Sequence, residues 1–342
     1  MVWHQRRCVT VLICYTAIAS ASAQTEAESP HRKSKVIDEI TFAPLSSVVR
    51  KAIGSDNWPI TWAHDGNLYT SYGDGWGFKP FVEKKLSQGF AKIIGPATDF
   101  TGVNIRSPSG ERTGDGPSGA KASGMLMVDG VLYMWSRNTA NSTHVWSANH
   151  GKTWHWGFRF KTSFGCPTFL NFGRDYEGAR DNYVYVYSQD GPSAYEPYDQ
   201  VVLARVPKDK IKDPSAYEFF EKLDGEGKPV WTSDIEQRGS VFTHPGRCER
   251  MEVVYNPAIK RYLMAQGFNH NGGWGIFDAP EPWGPWTTVF YTNRWDCGNT
   301  HGYRFPTKWI SDDGKTMYLV FSGSGKYDAF CVRKMTLTLR DR

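Results

Sequence analysis

A turn followed by a tyrosine-bearing strand recurs along this 342-residue chain. It appears as Asp65-Gly66-Asn67-Leu68-Tyr69 and as Asp129-Gly130-Val131-Leu132-Tyr133. It returns as Asp181-Asn182-Tyr183-Val184-Tyr185-Val186-Tyr187, in shorter form as Lys260-Arg261-Tyr262-Leu263, and as Asp313-Gly314-Lys315-Thr316-Met317-Tyr318-Leu319-Val320. Each copy pairs reversal residues with an alternation of apolar and polar positions, the pattern of a hairpin entering a strand. Few long stretches have helical periodicity. The copies lie roughly 50 to 80 residues apart, and a four-stranded propeller blade with its loops needs about that length. The pattern predicts an all-β protein, a single five-bladed β-propeller over residues 41–342. Pro207 to Gly227 reads as a charged insertion between blades.

The first 23 residues follow a different pattern. Arg6 and Arg7 precede a largely apolar run from Val9 to Ile18, and Ala21-Ser22-Ala23 offers a small-residue cleavage site. This is the arrangement of a signal peptide, with export expected to the periplasm or the exterior and no membrane attachment after removal. Residues 24–40 read as a polar, mobile leader. Export permits disulfides, and Cys166, Cys248, Cys297 and Cys331 fit two bridges, in a pairing the spacing leaves open.

Composition narrows the function. Aromatic residues make up 15% of the chain, with 14 Trp, 34 Gly and 19 Pro, which suits strands and tight turns. Removing the signal lowers the basic count from 40 to 38 against 35 acids, a formal charge of +3. No basic run or stripe marks a nucleic-acid partner. No Cys-x-x-Cys pair or His-x-x-x-His motif suggests a metal site. No Gly-x-Ser-x-Gly elbow suggests a serine nucleophile. No cofactor is expected, with a structural calcium in the channel left as an option.

The richest chemistry lies between Gly54 and Phe78. Asp56 and Asp74 flank the first repeat, each among glycines and tryptophans. Glycosidic cleavage commonly uses two carboxyl groups, and tryptophan faces stack on sugar rings. Ser147-Ala148-Asn149-His150-Gly151-Lys152-Thr153-Trp154 resembles the Asp-box turn of sialidase-like propellers, with Asn149 where Asp is usual. The run Gly54-Ser55-Asp56, followed by Tyr72-Gly73-Asp74-Gly75, resembles the first blade of a propeller family long catalogued as a domain of unknown function. Some members of that family are bacterial endo-D-arabinofuranases. Its pattern is Gly-Thr-Asp, then Phe-Gly-Asp-Thr after the first Leu-Tyr strand. Both acids survive here, while Ser55 and Gly75 depart from the pattern. Ala279-Pro280-Glu281-Pro282-Trp283-Gly284-Pro285-Trp286 is similar to a segment of five-bladed glycosidases.

The resemblance implies a secreted glycoside hydrolase acting on a polysaccharide, with Asp56 and Asp74 as the catalytic pair at the channel mouth. Glu249 is a third candidate acid, because related propellers take one from another blade. Trp58, Trp76, Arg106 and Arg304 are expected sugar contacts. The Gly102 to Gly124 segment reads as a loop over the mouth. His270, His301, Tyr303 and Arg304 form a competing set, suited to a polysaccharide lyase with a basic residue and a uronate-neutralising arginine. A propeller that binds carbohydrate without turnover is the third reading.

Overall fold

A computed structural model describes residues 28–269 and 272–341. The expected signal peptide and His270 lie outside the described residues. Among the described residues, no helix is long and apolar enough to cross a membrane.

The chain is all-β, as its alternation predicts, with 3-10 turns between strands. Asp56–Trp62, Leu68–Gly73, Gly89–Ile94 and Thr101–Ile105 form one antiparallel meander, in that order. Lys121–Val128, Val131–Arg137, Thr143–Ser147 and His155–Arg159 form the next. A third group starts with Thr168–Asn171, Tyr183–Gln189 and Tyr198–Pro207, and a fourth runs from Met251–Asn256 through Arg261–Asn269 and Gly273–Ala279 to Thr287–Thr292. These two join through a short parallel contact of Leu170 with Val253 and Asn171 with Val254. The fifth group is Thr300–Arg304, Thr316–Gly323 and Phe330–Leu339.

Each repeat found in the sequence supplies the second strand of its group. The reason is local: Asp65 accepts the Asn67 N–H at 3.0 Å and the Tyr69 hydroxyl at 2.9 Å. Asp181 does the same with Tyr183 N–H at 3.0 Å and the Tyr185 hydroxyl at 2.7 Å. One carboxylate thus closes the turn and pins the tyrosine of the strand that follows. The Asn149 turn works in the same way. Its Oδ1 accepts from Thr153 N–H at 2.9 Å and from the Ser147 hydroxyl at 3.0 Å, so asparagine fills the role of the usual aspartate.

The first strands of the five groups neighbour one another in a closed circuit, from Asp56–Trp62 through Lys121–Val128, Thr168–Asn171, Met251–Asn256 and Thr300–Arg304 back to Asp56–Trp62. The fifth group gains its outer strand from an earlier part of the chain. Ile37–Phe42 pairs antiparallel with Phe330–Leu339, from Ile37 opposite Leu339 to Phe42 opposite Met335. Apolar clusters fill the space between neighbouring groups, and one packs Leu126, Phe169, Val186, Leu203 and Val253 together.

Three expectations need correction. The leader packs onto the fold over part of its described length. His31 lies 4.4 Å from the Phe242 ring, buried Ser34 accepts from Val36 and Ile37 N–H, and Ile37 and Ile40 enter the core. The segment read as an insertion instead holds a strand, Glu218–Leu223, paired with Tyr198–Pro207. The four cysteines are free, buried thiols and not two disulfides. Cys297 and Cys331 share one apolar cluster, where Cys331 donates to Gly323 O at 3.2 Å and Cys297 lies 3.2 Å from Arg333 Nη1.

Candidate active site

The starting ends of the inner strands gather at one end of the circuit. Asn57 near the start of the first reaches Ala122 near the start of the second, and Gly302 packs against the Asn57 carbonyl. Asp56, Lys121 and His301 therefore share this end, with Asp74 from the end of the adjacent second strand.

Asp56 opens the strand Asp56–Trp62 and pairs in register with Gly73. A Cβ on Gly73 would collide with Asp56 Oδ1, so the carboxylate lies over bare backbone. Asp56 Oδ1 is buried without a hydrogen-bond partner among the described residues. Burial raises the Asp56 carboxyl above its ordinary value. The His301 and Lys121 charges oppose this, and the Asp328 and Asp74 charges reinforce it. Asp74 follows the strand Leu68–Gly73 and is ion-paired with buried Lys121. Its Oδ2 also accepts the Gly116 N–H at 3.2 Å, from a turn inside the segment read as a loop, whose two ends are instead the strands Thr101–Ile105 and Lys121–Val128. Both predicted aspartates thus reach one charged cluster, with Lys121 serving each.

His301 Nε2 stands 3.2 Å from Asp328 Oδ1. Burial would raise the Asp328 carboxyl, but the bond and charge of His301 and the charge of Arg50 hold it below its ordinary value. Trp76 is 37% exposed, and its ring packs against Gly54 at this end of the sheet. Its backbone N–H and that of Gly77 bind Ser55 Oγ at 3.1 and 3.0 Å. Ser55, where the family pattern has Thr, keeps a hydroxyl that holds this turn.

Other predicted site residues are placed elsewhere. Trp58 is fully buried, donates from Nε1 to Ala329 O at 3.1 Å and meets Phe330 edge-on, so it is core and not a sugar platform. Arg304 is 2% exposed and paired with Glu252 at 3.1 Å inside the circuit. Burial pushes Glu252 up to about 7 against the pull of Arg304. Tyr303 is buried, with its hydroxyl on Thr300, so the lyase set loses both its tyrosine and its arginine. Arg106 follows the outermost strand of the first sheet and is taken up by Glu111 at 2.8 Å. Glu249 sits in the turn before Met251–Asn256 and is not part of the Asp56, His301 and Asp328 trio. Sequence reasoning missed Asp328, which no motif marks in Lys326-Tyr327-Asp328-Ala329.

A family model described as a domain of unknown function, DUF4185, matches residues 121–333. The chain belongs to the DUF4185 family. The matched part of this DUF4185 chain includes Lys121, His301 and Asp328, while Asp56 and Asp74 precede it. No curated protein matches the chain. Solved structures do. A GH43_1 enzyme from Xanthomonas citri is 14% identical, with 88% of this chain and 93% of that one covered at a TM-score of 0.50. RS223-β-xylosidase is 13% identical over 88% and 98%, with a TM-score of 0.51. The α-L-arabinofuranosidase PaAbf62A from Podospora anserina, solved with cellotriose, is 10% identical over 88% and 97%, also at 0.51. The DUF4185 chain therefore has an all-β, propeller-like fold of the kind found in glycoside hydrolases.

Asp56, His301 and Asp328 each offer the DUF4185 site a ligand atom, all within 4.8 Å of one another. A histidine nitrogen with two carboxylates suits a transition-metal cation better than calcium, which selects oxygen ligands. The direct bond between His301 Nε2 and Asp328 Oδ1 already satisfies that nitrogen without an ion.

Proposed function

We propose that this protein is a secreted glycoside hydrolase that cuts a polysaccharide at the end of its inner circuit where Asp56 and Asp74 meet. The observation that carries the reading is the Asp56 carboxylate, buried and unpaired at Oδ1, beside a second carboxylate held by Lys121 and Gly116. Asp56, raised by burial, is the general acid that protonates the departing glycosidic oxygen. Asp74 supplies the negative charge required opposite an oxocarbenium-like transition state, as base or nucleophile. Trp76 offers a face for a sugar ring. The five antiparallel groups are read as five propeller blades, with Ile37–Phe42 completing the last. Structural relatives solved with sugars support a carbohydrate partner. Secretion rests on the signal pattern of residues 6–23.

The test is a panel of polysaccharides offered to the purified protein, read for reducing ends and for ultraviolet absorbance together. Hydrolysis yields reducing ends without new absorbance, and both Asp56→Asn and Asp74→Asn abolish it. An unsaturated, absorbing product, or full activity in Asp56→Asn, overturns the reading.

A further inference from the structure

Arg137 ends the second strand of the second sheet and faces the same end of the circuit as Asp56. It is 1% exposed, yet its Nε and Nη1 have no hydrogen-bond partner among the described residues. The other deeply buried arginines are compensated. Arg304 holds Glu252, and Arg333 holds Asp296 at 2.6 and 2.8 Å. Arg137 instead shares an aromatic ring with a second arginine. Its Cζ lies 5.1 Å from the Tyr195 centroid, and Arg250 Cζ lies 5.1 Å from the same centroid. The two guanidinium groups are thus no farther apart than twice that distance. Arg250 immediately precedes the inner strand Met251–Asn256 and donates from Nε to Ala194 O at 3.2 Å. Neither arginine joins a carboxylate in an ion pair among the described residues.

Burying a cation without a counter-charge is costly, and placing a second like charge beside it adds to the cost. Burial weakens the hold of Arg250 on its proton and Arg137 adds repulsion, while Cys166, Tyr195 and the charge of Asp56 oppose this. The arrangement is short of one anion. A guanidinium fork matches a carboxylate in a bidentate way, and both guanidinium groups here lie against the one Tyr195 ring.

We propose that Arg137 and Arg250 form a carboxylate-binding subsite next to Asp56, so that the polysaccharide cut here contains uronic acid units. The inference rests on the hydrolase reading for its second half. A uronate carboxylate seated on the two arginines places the ring beside Asp56, with a neighbouring glycosidic oxygen in reach of the general acid.

The probe is D-glucuronate, compared with D-glucose and glucose 6-sulfate, titrated calorimetrically into the full chain. Glucuronate is expected to bind at least about tenfold tighter than glucose, the worth of one charge-assisted pair. Arg250→Gln is expected to remove that preference and leave glucose binding unchanged. Because Arg137 is buried, Arg137→Lys replaces a deletion there. It keeps the charge but loses the fork, and is expected to weaken glucuronate selectively. Asp56→Asn is expected to keep glucuronate binding while hydrolysis stops, which separates the subsite from the chemistry. Glucuronate binding without any cleaved substrate would therefore fail the hydrolase reading and leave the subsite standing. Equal affinity for glucuronate and glucose, undiminished glucuronate binding by folded Arg250→Gln, or a preference for glucose 6-sulfate over glucuronate overturns the carboxylate subsite.

Discussion

The carboxylate of Asp56 lies across the bare Cα of Gly73, its registered partner on the neighbouring strand. Any side chain at Gly73 would occupy the place of Asp56 Oδ1. Gly73→Ala is therefore expected to displace Asp56, the proposed general acid, while the strand pairing persists. A loss of activity of about a hundredfold with an unchanged circular dichroism spectrum would bear this out, since small misplacements of a reacting group cost that much.

Asp56 is also expected to trade stability for function. Its folded carboxyl titrates above the ordinary 3.8, so the folded state holds this proton more tightly than the unfolded chain does. The stability gained in that way is present below 3.8 and is lost as pH rises through the raised value. Asparagine mimics the protonated acid at every pH. Asp56→Asn should show a higher Tm than the parent at pH 7, with the two converging near pH 4, while activity falls by at least about a hundredfold. Thermal melts at the two pH values check the first part and reducing-end assays the second.

His301 is the strongest charge holding the Asp56 carboxyl down. Removing it leaves burial less opposed, so the Asp56 proton is retained to higher pH. For a general acid, that moves the alkaline limb of the rate profile upward. His301→Gln is expected to shift this limb to higher pH with residual activity, measured as kcat/KM against pH. An unmoved or lowered limb would separate His301 from Asp56.

Glu252 and Arg304 form an ion pair that is almost completely buried, with side-chain exposures of 1% and 2%. Truncating one partner leaves the other charge stranded. Glu252→Ala is expected to destabilise the fold by about 3–5 kcal/mol. Urea denaturation of the variant and the parent gives the difference directly. Glu252→Gln, which preserves shape and a hydrogen bond, should lose less.

Asn149 lies on a turn between Thr143–Ser147 and His155–Arg159, at the outer edge of the second sheet. Its side chain closes the turn and takes no part in the Asp56 cluster. Asn149→Ala is expected to cost about 1–2 kcal/mol through its lost hydrogen bonds, with kcat/KM unchanged. Asn149→Asp should restore the parent Tm.

What could be read along the chain was local. Asp65 with Tyr69 and Asp181 with Tyr185 are four residues apart, so their turns, and the strands those turns launch, are written in adjacent positions. The same holds for Ser147 to Trp154 and for Asp56 and Asp74, which one hairpin links. Trp58 and Trp76 look alike in sequence, each beside a glycine-rich turn. Only packing against Phe78 and Phe330 decides that the first is core, while the second stays open.

Sequence by itself determined an all-β chain of repeated turn-and-strand units and two acids at one hairpin. The tertiary structure decided which distant groups surround those acids. Lys121 and Arg137 face each other on one hairpin, while Arg250, His301 and Asp328 come from two other strand groups that no spacing rule connects to it. They meet because the inner strands close into a circuit, with Thr300–Arg304 set against Asp56–Trp62. All four cysteines stay free, buried thiols in the closed fold, so their even number was no guide to pairing. Charge, burial and proton affinity depend on distances through space, and those exist only once the circuit has closed.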